Sequence, residues 1–196
     1  PSRVGVAGHS FGGFTALRIA GGSIDVAAFE AECATDPGAF FCDGIDEVTF
    51  PKSQHDPRFI AALPQAPGAA FVFRDGGFAD VAMPVMIQAG LDDWHTPYPA
   101  EAKEPFLALP APAWLLSIEQ AGHFTFSDMC MLIDQIGLTL DDFADGCGDK
   151  SIAIATAHPL IVRYATAFVQ VHVAGHTSFE AELNAKPSEA ATLQRK

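Results

Sequence analysis

Three kinds of side chain in this sequence have the chemistry to make an alcohol nucleophilic: a serine, a histidine and a carboxylate. The serine is Ser10, in the G-x-S-x-G pattern Gly8-His9-Ser10-Phe11-Gly12. A serine hydroxyl is a poor nucleophile unless a base takes its proton. In this pattern the serine occupies a sharp turn from a strand into a helix, where crowding favours small residues two before and two after it. The spacing therefore predicts a nucleophile at Ser10 and a steric requirement for both flanking glycines.

A base and an orienting carboxylate are expected further along, in the chain order Ser, Asp, His. Asp92 and Asp93 follow an apolar strand predicted over residues 84–89. The end of a parallel strand suits a functional carboxylate, although either aspartate could simply cap a turn. His123 follows the strand predicted over residues 113–118, where a loop can bring an imidazole over the serine.

Neighbouring residues have expected roles around these three. The backbone N–H of Phe11, at the start of the predicted helix, is a candidate donor to a developing oxyanion. His9 either packs behind the nucleophile or lines the site, and Trp94 either lines a substrate pocket or packs as an ordinary side chain. His95 is too close to Asp93 along the chain to bridge that carboxylate easily to the serine.

Apolar strands that alternate with helices must position these side chains. Strands are predicted over residues 3–7, 58–63, 84–89 and 113–118, the second closed by Pro64 and the third by Gly90. Helices are predicted over residues 10–20, 26–33, 98–109, 127–136 and 151–173, and a short amphipathic segment over residues 178–183. This alternation indicates a parallel sheet covered on both faces. His172, near the end of the long helix, suits the helix dipole as a cation, and the polar tail after Pro187 is predicted to be mobile.

Composition limits the function classes. The 196 residues are 49% hydrophobic and 18% charged, which is typical of one globular domain. A net charge of −13 argues against nucleic acid and anionic membranes as partners. The longest apolar run, residues 152–174, is interrupted by charged and polar side chains, so no transmembrane segment is expected.

Four cysteines, at positions 33, 42, 130 and 147, show no C-x-x-C spacing, so no metal site is expected. Pairing near neighbours gives disulfides Cys33–Cys42 and Cys130–Cys147. We favour this over four buried thiols, and it predicts a secreted or periplasmic protein; free thiols would indicate a cytoplasmic one.

The segments around Ser10, over residues 84–97 and over residues 121–126 together resemble the predicted dienelactone hydrolase group of α/β-hydrolases. Platelet-activating-factor acetylhydrolases and polyester-degrading lipases or cutinases are more distant likenesses. The resemblance covers most of residues 3–183. It implies an α/β-hydrolase fold, a triad of Ser10, Asp93 and His123 with Asp93 preferred over Asp92, and no cofactor. Dienelactone hydrolases use a cysteine where this chain has its serine, so the resemblance does not extend to that substrate.

The resemblance also implies that the chain, which begins at Pro1, is the C-terminal part of a single catalytic domain whose N-terminal strands are missing. A second oxyanion donor belongs to those strands, so residues 1–196 alone are expected to be weakly active or inactive. Residues 23–55 form either a small cap over an acyl pocket or a surface segment. We expect a serine hydrolase that cleaves carboxylic esters of small molecules or lipids; a peptidase, an acyltransferase and a non-catalytic binding domain are the alternatives.

Overall fold

A computed structural model describes residues 3–35, 42, 55–73, 76–137 and 144–196. Within them, five strands form one sheet whose order in space is their order in the chain. The strands are β1 (Val4–His9), β2 (Phe59–Gln65), β3 (Val85–Gly90), β4 (Ala113–Ile118) and β5 (Ala191–Arg195). The first four are parallel, and β5 runs antiparallel to β4.

Helices connect and cover these strands. They are α1 (Phe11–Ala20), α2 (Val26–Thr35), α3 (Glu104–Ala108), α4 (Met129–Ile136), α5 (Ile154–Val169) and α6 (Glu180–Leu183). A π-helical segment, Pro99–Lys103, leads into α3, and another, Gln170–Ala174, continues α5. Short 3-10 turns lie at Ala70–Phe73, His123–Phe126 and Thr177–Phe179. The predicted α/β arrangement, a mostly parallel sheet flanked by helices, is confirmed.

The core has two apolar layers, one on each face of the sheet. Val85 and Ile87 of β3 belong to the layer that includes Leu17 of α1, whereas Met86 between them belongs to the layer that includes Phe168 of α5. Successive side chains of a strand point to opposite faces. Every residue of β3 is buried because both faces are covered.

Pro64 lies inside β2 and does not close it, contrary to the prediction. The N–H groups of Ala62 and Ala66 donate to Pro84 and Gln88 across the boundary with β3, so residue 64 is the position between them where a donor to β3 is missing. The strand continues because its other edge stays in register with β1 up to Gln65.

The prediction of a mobile tail after Pro187 is wrong, because β5 extends the sheet there. Its five residues pair with β4 from Trp114 to Ile118. Ala191 and Leu193, which alternate with polar residues, pack on the α5 layer. Pairing also supplies partners for backbone groups at an otherwise open edge of β4.

His172 is not placed as a helix-end cation. Its ring packs between Trp114 and Phe168, at centroid distances of 5.0 and 4.9 Å. Its Nε2 atom is buried without a hydrogen bond to any described residue. Burial lowers the pKa of His172, so the neutral ring is favoured.

Both predicted disulfides, Cys33–Cys42 and Cys130–Cys147, are present. The first ties the end of α2 to residue 42. Most of the predicted cap segment, residues 36–41 and 43–54, lies outside the described residues. No helix in the described part of the chain is long and apolar enough to span a bilayer.

Candidate active site

The turn at Ser10 joins β1 to α1 in a strained conformation. Ser10 has φ 59° and ψ −121°, a combination that non-glycine residues rarely adopt. Its N–H donates to the Gln65 carbonyl at 2.9 Å, and its own carbonyl accepts from the N–H groups of Gly13, Phe14 and Gly68 at 2.8–3.2 Å. A strained residue persists only where its surroundings fix it, and these four bonds do so.

The steric requirement in this turn falls on Gly8 and Gly13, and the prediction that Gly12 must also be small is wrong. A Cβ on Gly8 would lie 2.3 Å from the carbonyl oxygen of Gly12. A Cβ on Gly13 would lie 2.9 Å from the Cα of Pro67. A Cβ on Gly12 would meet no described atom within 4 Å, because it points into open space.

The structure brings Ser10, His123 and Asp93 into one hydrogen-bonded chain. The Oγ of Ser10 lies 2.9 Å from Nε2 of His123, and Nδ1 of His123 lies 3.0 Å from Oδ2 of Asp93. The His123 and Asp93 side chains are 5% and 1% exposed. A carboxylate only accepts hydrogen bonds, so Nδ1 of His123 carries the proton and Nε2 presents its lone pair to the serine hydroxyl.

These three residues meet because of the sheet. Ser10 directly follows β1, Asp93 follows β3, and His123 follows β4. The carboxyl ends of parallel strands lie at the same edge, so loops that are far apart in sequence converge there.

Thr96 holds the carboxylate of Asp93 in place. Its N–H donates to Oδ1 at 2.6 Å, and its hydroxyl donates to Oδ2 at 2.7 Å. The same hydroxyl oxygen lies 3.1 Å from Nδ1 of His123. Asp92, the alternative acid, is exposed to solvent. Thr96 was not predicted from the sequence; the only local signal for it is that an aspartate in a turn often accepts from backbone N–H groups just after it.

A second imidazole–carboxylate pair lies beside the first. Nδ1 of His95 is 2.8 Å from Oδ2 of Asp145, and the same oxygen accepts the backbone N–H groups of Trp94 and His95 at 3.0 Å each. The ring of His95 stacks on that of His123, with centroids 5.2 Å apart and planes 30° apart. Asp145 was not predicted from the sequence, because it is 50 residues from His95 and no local motif marks it.

The remaining predicted site residues are placed as follows. His9 lies behind the imidazole of His123, donating from Nε2 to the His123 carbonyl at 2.9 Å, and burial lowers the pKa of His9. The ring of Trp94 stacks on His95 at 3.9 Å and is largely exposed, but it does not line the cavity at the serine. Phe11 is the first residue of α1 and lines that cavity.

The cavity at the serine has a volume of about 210 Å³. Its lining combines apolar and polar groups: Ser10, Phe11, Gly68, Ala69, Phe71, His95, Thr96, Glu101 and His123. A neighbouring cavity of about 240 Å³ shares Phe71 with it. Among the described residues, no cluster of histidine, cysteine and acidic side chains has the arrangement to hold a metal ion.

Comparison with protein-family models and with curated proteins gives no match to this chain. The function is therefore inferred from the geometry of the site.

Proposed function

We propose that this protein is a serine hydrolase of the α/β-hydrolase fold that cleaves carboxylic esters. The observation that carries the proposal is the unbroken hydrogen-bond chain from the Ser10 hydroxyl through His123 to Asp93, at the floor of an open cavity. An alcohol, a base with its lone pair on that alcohol, and a buried carboxylate behind the base are the parts that acyl transfer requires.

The reaction has two steps. His123 takes the proton of Ser10 as Oγ attacks the ester carbonyl carbon, and the carbonyl oxygen becomes an oxyanion. His123, now protonated and stabilised by Asp93, gives that proton to the leaving alcohol, which leaves an acyl-enzyme. Water then attacks the acyl carbon while losing a proton to His123, and the carboxylic acid is released as Ser10 regains its proton.

The start of α1 is the proposed site of oxyanion stabilisation. The backbone N–H of Phe11 follows the nucleophile directly and belongs to the first turn of the helix. The positive end of the helix dipole lies there, and a fixed donor next to a developing negative charge lowers the barrier. This mechanism uses no metal or organic cofactor.

The cavity suggests the class of substrate. Phe11, Ala69 and Phe71 offer apolar surface for an acyl group next to Ser10, and a second cavity also borders Phe71. A small-molecule ester or a lipid with a short acyl chain fits this volume. The two disulfides support a secreted or periplasmic location, since such bonds persist in oxidising compartments.

The test is hydrolysis of p-nitrophenyl butyrate together with labelling by a fluorophosphonate, which reacts with activated serines. We expect turnover and labelling of the full-length protein, both abolished by Ser10→Ala and both kept by Ser178→Ala, a change at an exposed serine that does not line the cavity at Ser10. Labelling without ester turnover would replace the proposal with a peptidase or an acyltransferase. No labelling would leave a non-catalytic binding domain.

A further inference from the structure

His95, paired with Asp145, lines the cavity, yet ester hydrolysis by Ser10, His123 and Asp93 gives this pair no role. The Asp145 side chain is 1% exposed, and its Oδ2 accepts three hydrogen bonds, two of them from His95. Since a carboxylate only accepts, Nδ1 of His95 carries the proton. The neutral ring then has its lone pair on Nε2.

Several constraints fix Asp145 in position. Its carbonyl accepts the N–H of Phe124, next to His123, at 2.9 Å. Two residues further on, Cys147 is bonded to Cys130. Its Oδ1 packs so closely on Gly122 that a Cβ there would lie 2.0 Å from this oxygen. Oδ1 is also buried without a hydrogen bond to any described residue, an arrangement that costs stability.

His95 presents its free nitrogen to the substrate side. Its ring lies between Trp94 and His123, and its side chain is 30% exposed and lines the cavity with Ser10. Nδ1 is tied to the buried Asp145, so Nε2 lies on the exposed side of the ring. Among the described residues the structure shows no partner for Nε2.

The position of His95 beside His123 decides which part of the substrate it meets. The leaving oxygen takes its proton from Nε2 of His123, so the substrate atoms next to that imidazole belong to the leaving group. His95 stacks on the same imidazole and therefore borders the leaving-group side of the cavity. The lone pair on Nε2 of His95 can accept a hydrogen bond from a hydroxyl group, but an ether oxygen or a methyl group has no proton to donate to it.

We propose that His95, oriented by Asp145, accepts a hydrogen bond from a hydroxyl on the leaving group, so that the enzyme prefers esters of diols and other polyols. The inference rests on the proposed ester hydrolysis at Ser10. Asp145 is a positioning residue, and His95 is a specificity-determining one.

The experiment compares 2-hydroxyethyl hexanoate with 2-methoxyethyl hexanoate, which differ in whether the terminal oxygen can donate a hydrogen bond. Each kcat/KM is divided by the rate constant for hydrolysis of the same ester by hydroxide, which removes intrinsic reactivity. One neutral hydrogen bond to a partly exposed group gives a preference for the hydroxyethyl ester of about fivefold. A wild-type ratio near one overturns the inference.

Two variants separate substrate binding from a structural role. His95→Asn keeps an N–H near the position of Nδ1 for Asp145 but removes Nε2, so we expect the fivefold preference for the hydroxyethyl ester to disappear, whatever the change in the absolute rates of the two esters. His95→Gln places an amide near the position of Nε2 and should restore part of the preference. If His95→Asn slows both esters equally and keeps the ratio, His95 only supports the loop and the inference fails.

The result also distinguishes this inference from the proposal on which it rests. Hydrolysis of both esters without discrimination refutes the role of His95 and leaves the serine hydrolase standing. If neither ester is hydrolysed and Ser10 is not labelled by a fluorophosphonate, the ester hydrolase proposal fails and the preference fails with it.

Discussion

Alanine at Gly8 and alanine at Gly12 should have opposite effects, although both glycines belong to the same motif. The Cβ of Gly8→Ala would lie 2.3 Å from the Gly12 carbonyl oxygen, about 1 Å short of ordinary van der Waals contact. That oxygen is backbone in the first turn of α1, so the clash is relieved only by moving the start of the helix and Ser10 with it. Overpacking of this kind costs about 2 kcal/mol, which lowers Tm by about 4–8 °C in a chain of this size.

The displacement of Ser10 caused by Gly8→Ala should also lower kcat. A shift of about 1 Å between the Ser10 hydroxyl and His123 costs on the order of 100-fold in kcat. Gly12→Ala meets no described atom within 4 Å and lies inside α1, where alanine is favoured over glycine by roughly 0.5–1 kcal/mol. We therefore expect this variant to keep its activity and to unfold at a Tm about 2 °C higher.

Thermal unfolding by circular dichroism and kcat for p-nitrophenyl butyrate measure both variants against wild type. The steric account is refuted if Gly8→Ala keeps the wild-type Tm and kcat. It is equally refuted if Gly12→Ala is as damaging as Gly8→Ala, because the motif would then need both glycines for a reason other than this contact.

Three further changes test the site and its support. Asp93→Asn should lower kcat by about 10⁴-fold because His123 loses the partner that fixes its tautomer, whereas Asp92→Asn at the exposed neighbour should not; equal rates would refute the assignment of the acid. His172→Leu removes a buried nitrogen without a partner and should stabilise the fold by about 1 kcal/mol in urea unfolding. Burial lowers the pKa of His172 in the folded state, so the free energy of unfolding of the wild type should fall as the pH drops below about 6.5, the unfolded pKa. The variant should lose less of this free energy between pH 7 and 5, and an identical pH dependence of the two proteins would contradict the account. Replacing Cys130 and Cys147 by alanine opens a loop of 17 residues and should cost about 3 kcal/mol, and an unchanged urea midpoint would show that the bond contributes nothing.

Much of the fold could be predicted because its signals are local. The strand over residues 113–118 has the predicted bounds, and the helix after Ser10 ends before Gly21 as expected. The prediction that Pro64 ends the strand was wrong because a proline inside a strand removes only one backbone N–H donor, and the remaining hydrogen bonds to both neighbouring strands keep it in the sheet. The strand at Ala191–Arg195 was missed because a short, polar stretch forms a strand only where a neighbouring strand, here β4, has an edge available for pairing.

The residues of the candidate site likewise divide into those that a local pattern predicts and those that depend on the tertiary fold. Ser10 and His123 were found from local patterns after strands, and the structure places them 2.9 Å apart. Thr96, Asp145 and the role of His95 depend on which loops meet in space. That meeting is set by the order of the strands in the sheet, which no local pattern encodes.

Two buried carboxylates accept hydrogen bonds from the loop after β3: Asp93, which belongs to that loop, and Asp145, which lies in a later one. Asp93 accepts from the N–H and hydroxyl of Thr96, and Asp145 accepts from the N–H groups of Trp94 and His95. A loop on a sheet edge is ordinarily mobile on the scale of ångströms, whereas proton transfer at Ser10 requires a fixed donor–acceptor distance. Because each carboxylate also bonds to one imidazole, the interactions that fix the loop are the same ones that orient the two rings. Loss of either carboxylate should therefore displace the loop and misorient an imidazole at the same time. Only a substitution such as His95→Asn, which keeps a donor to the carboxylate, separates the effect on the ring from the effect on the loop.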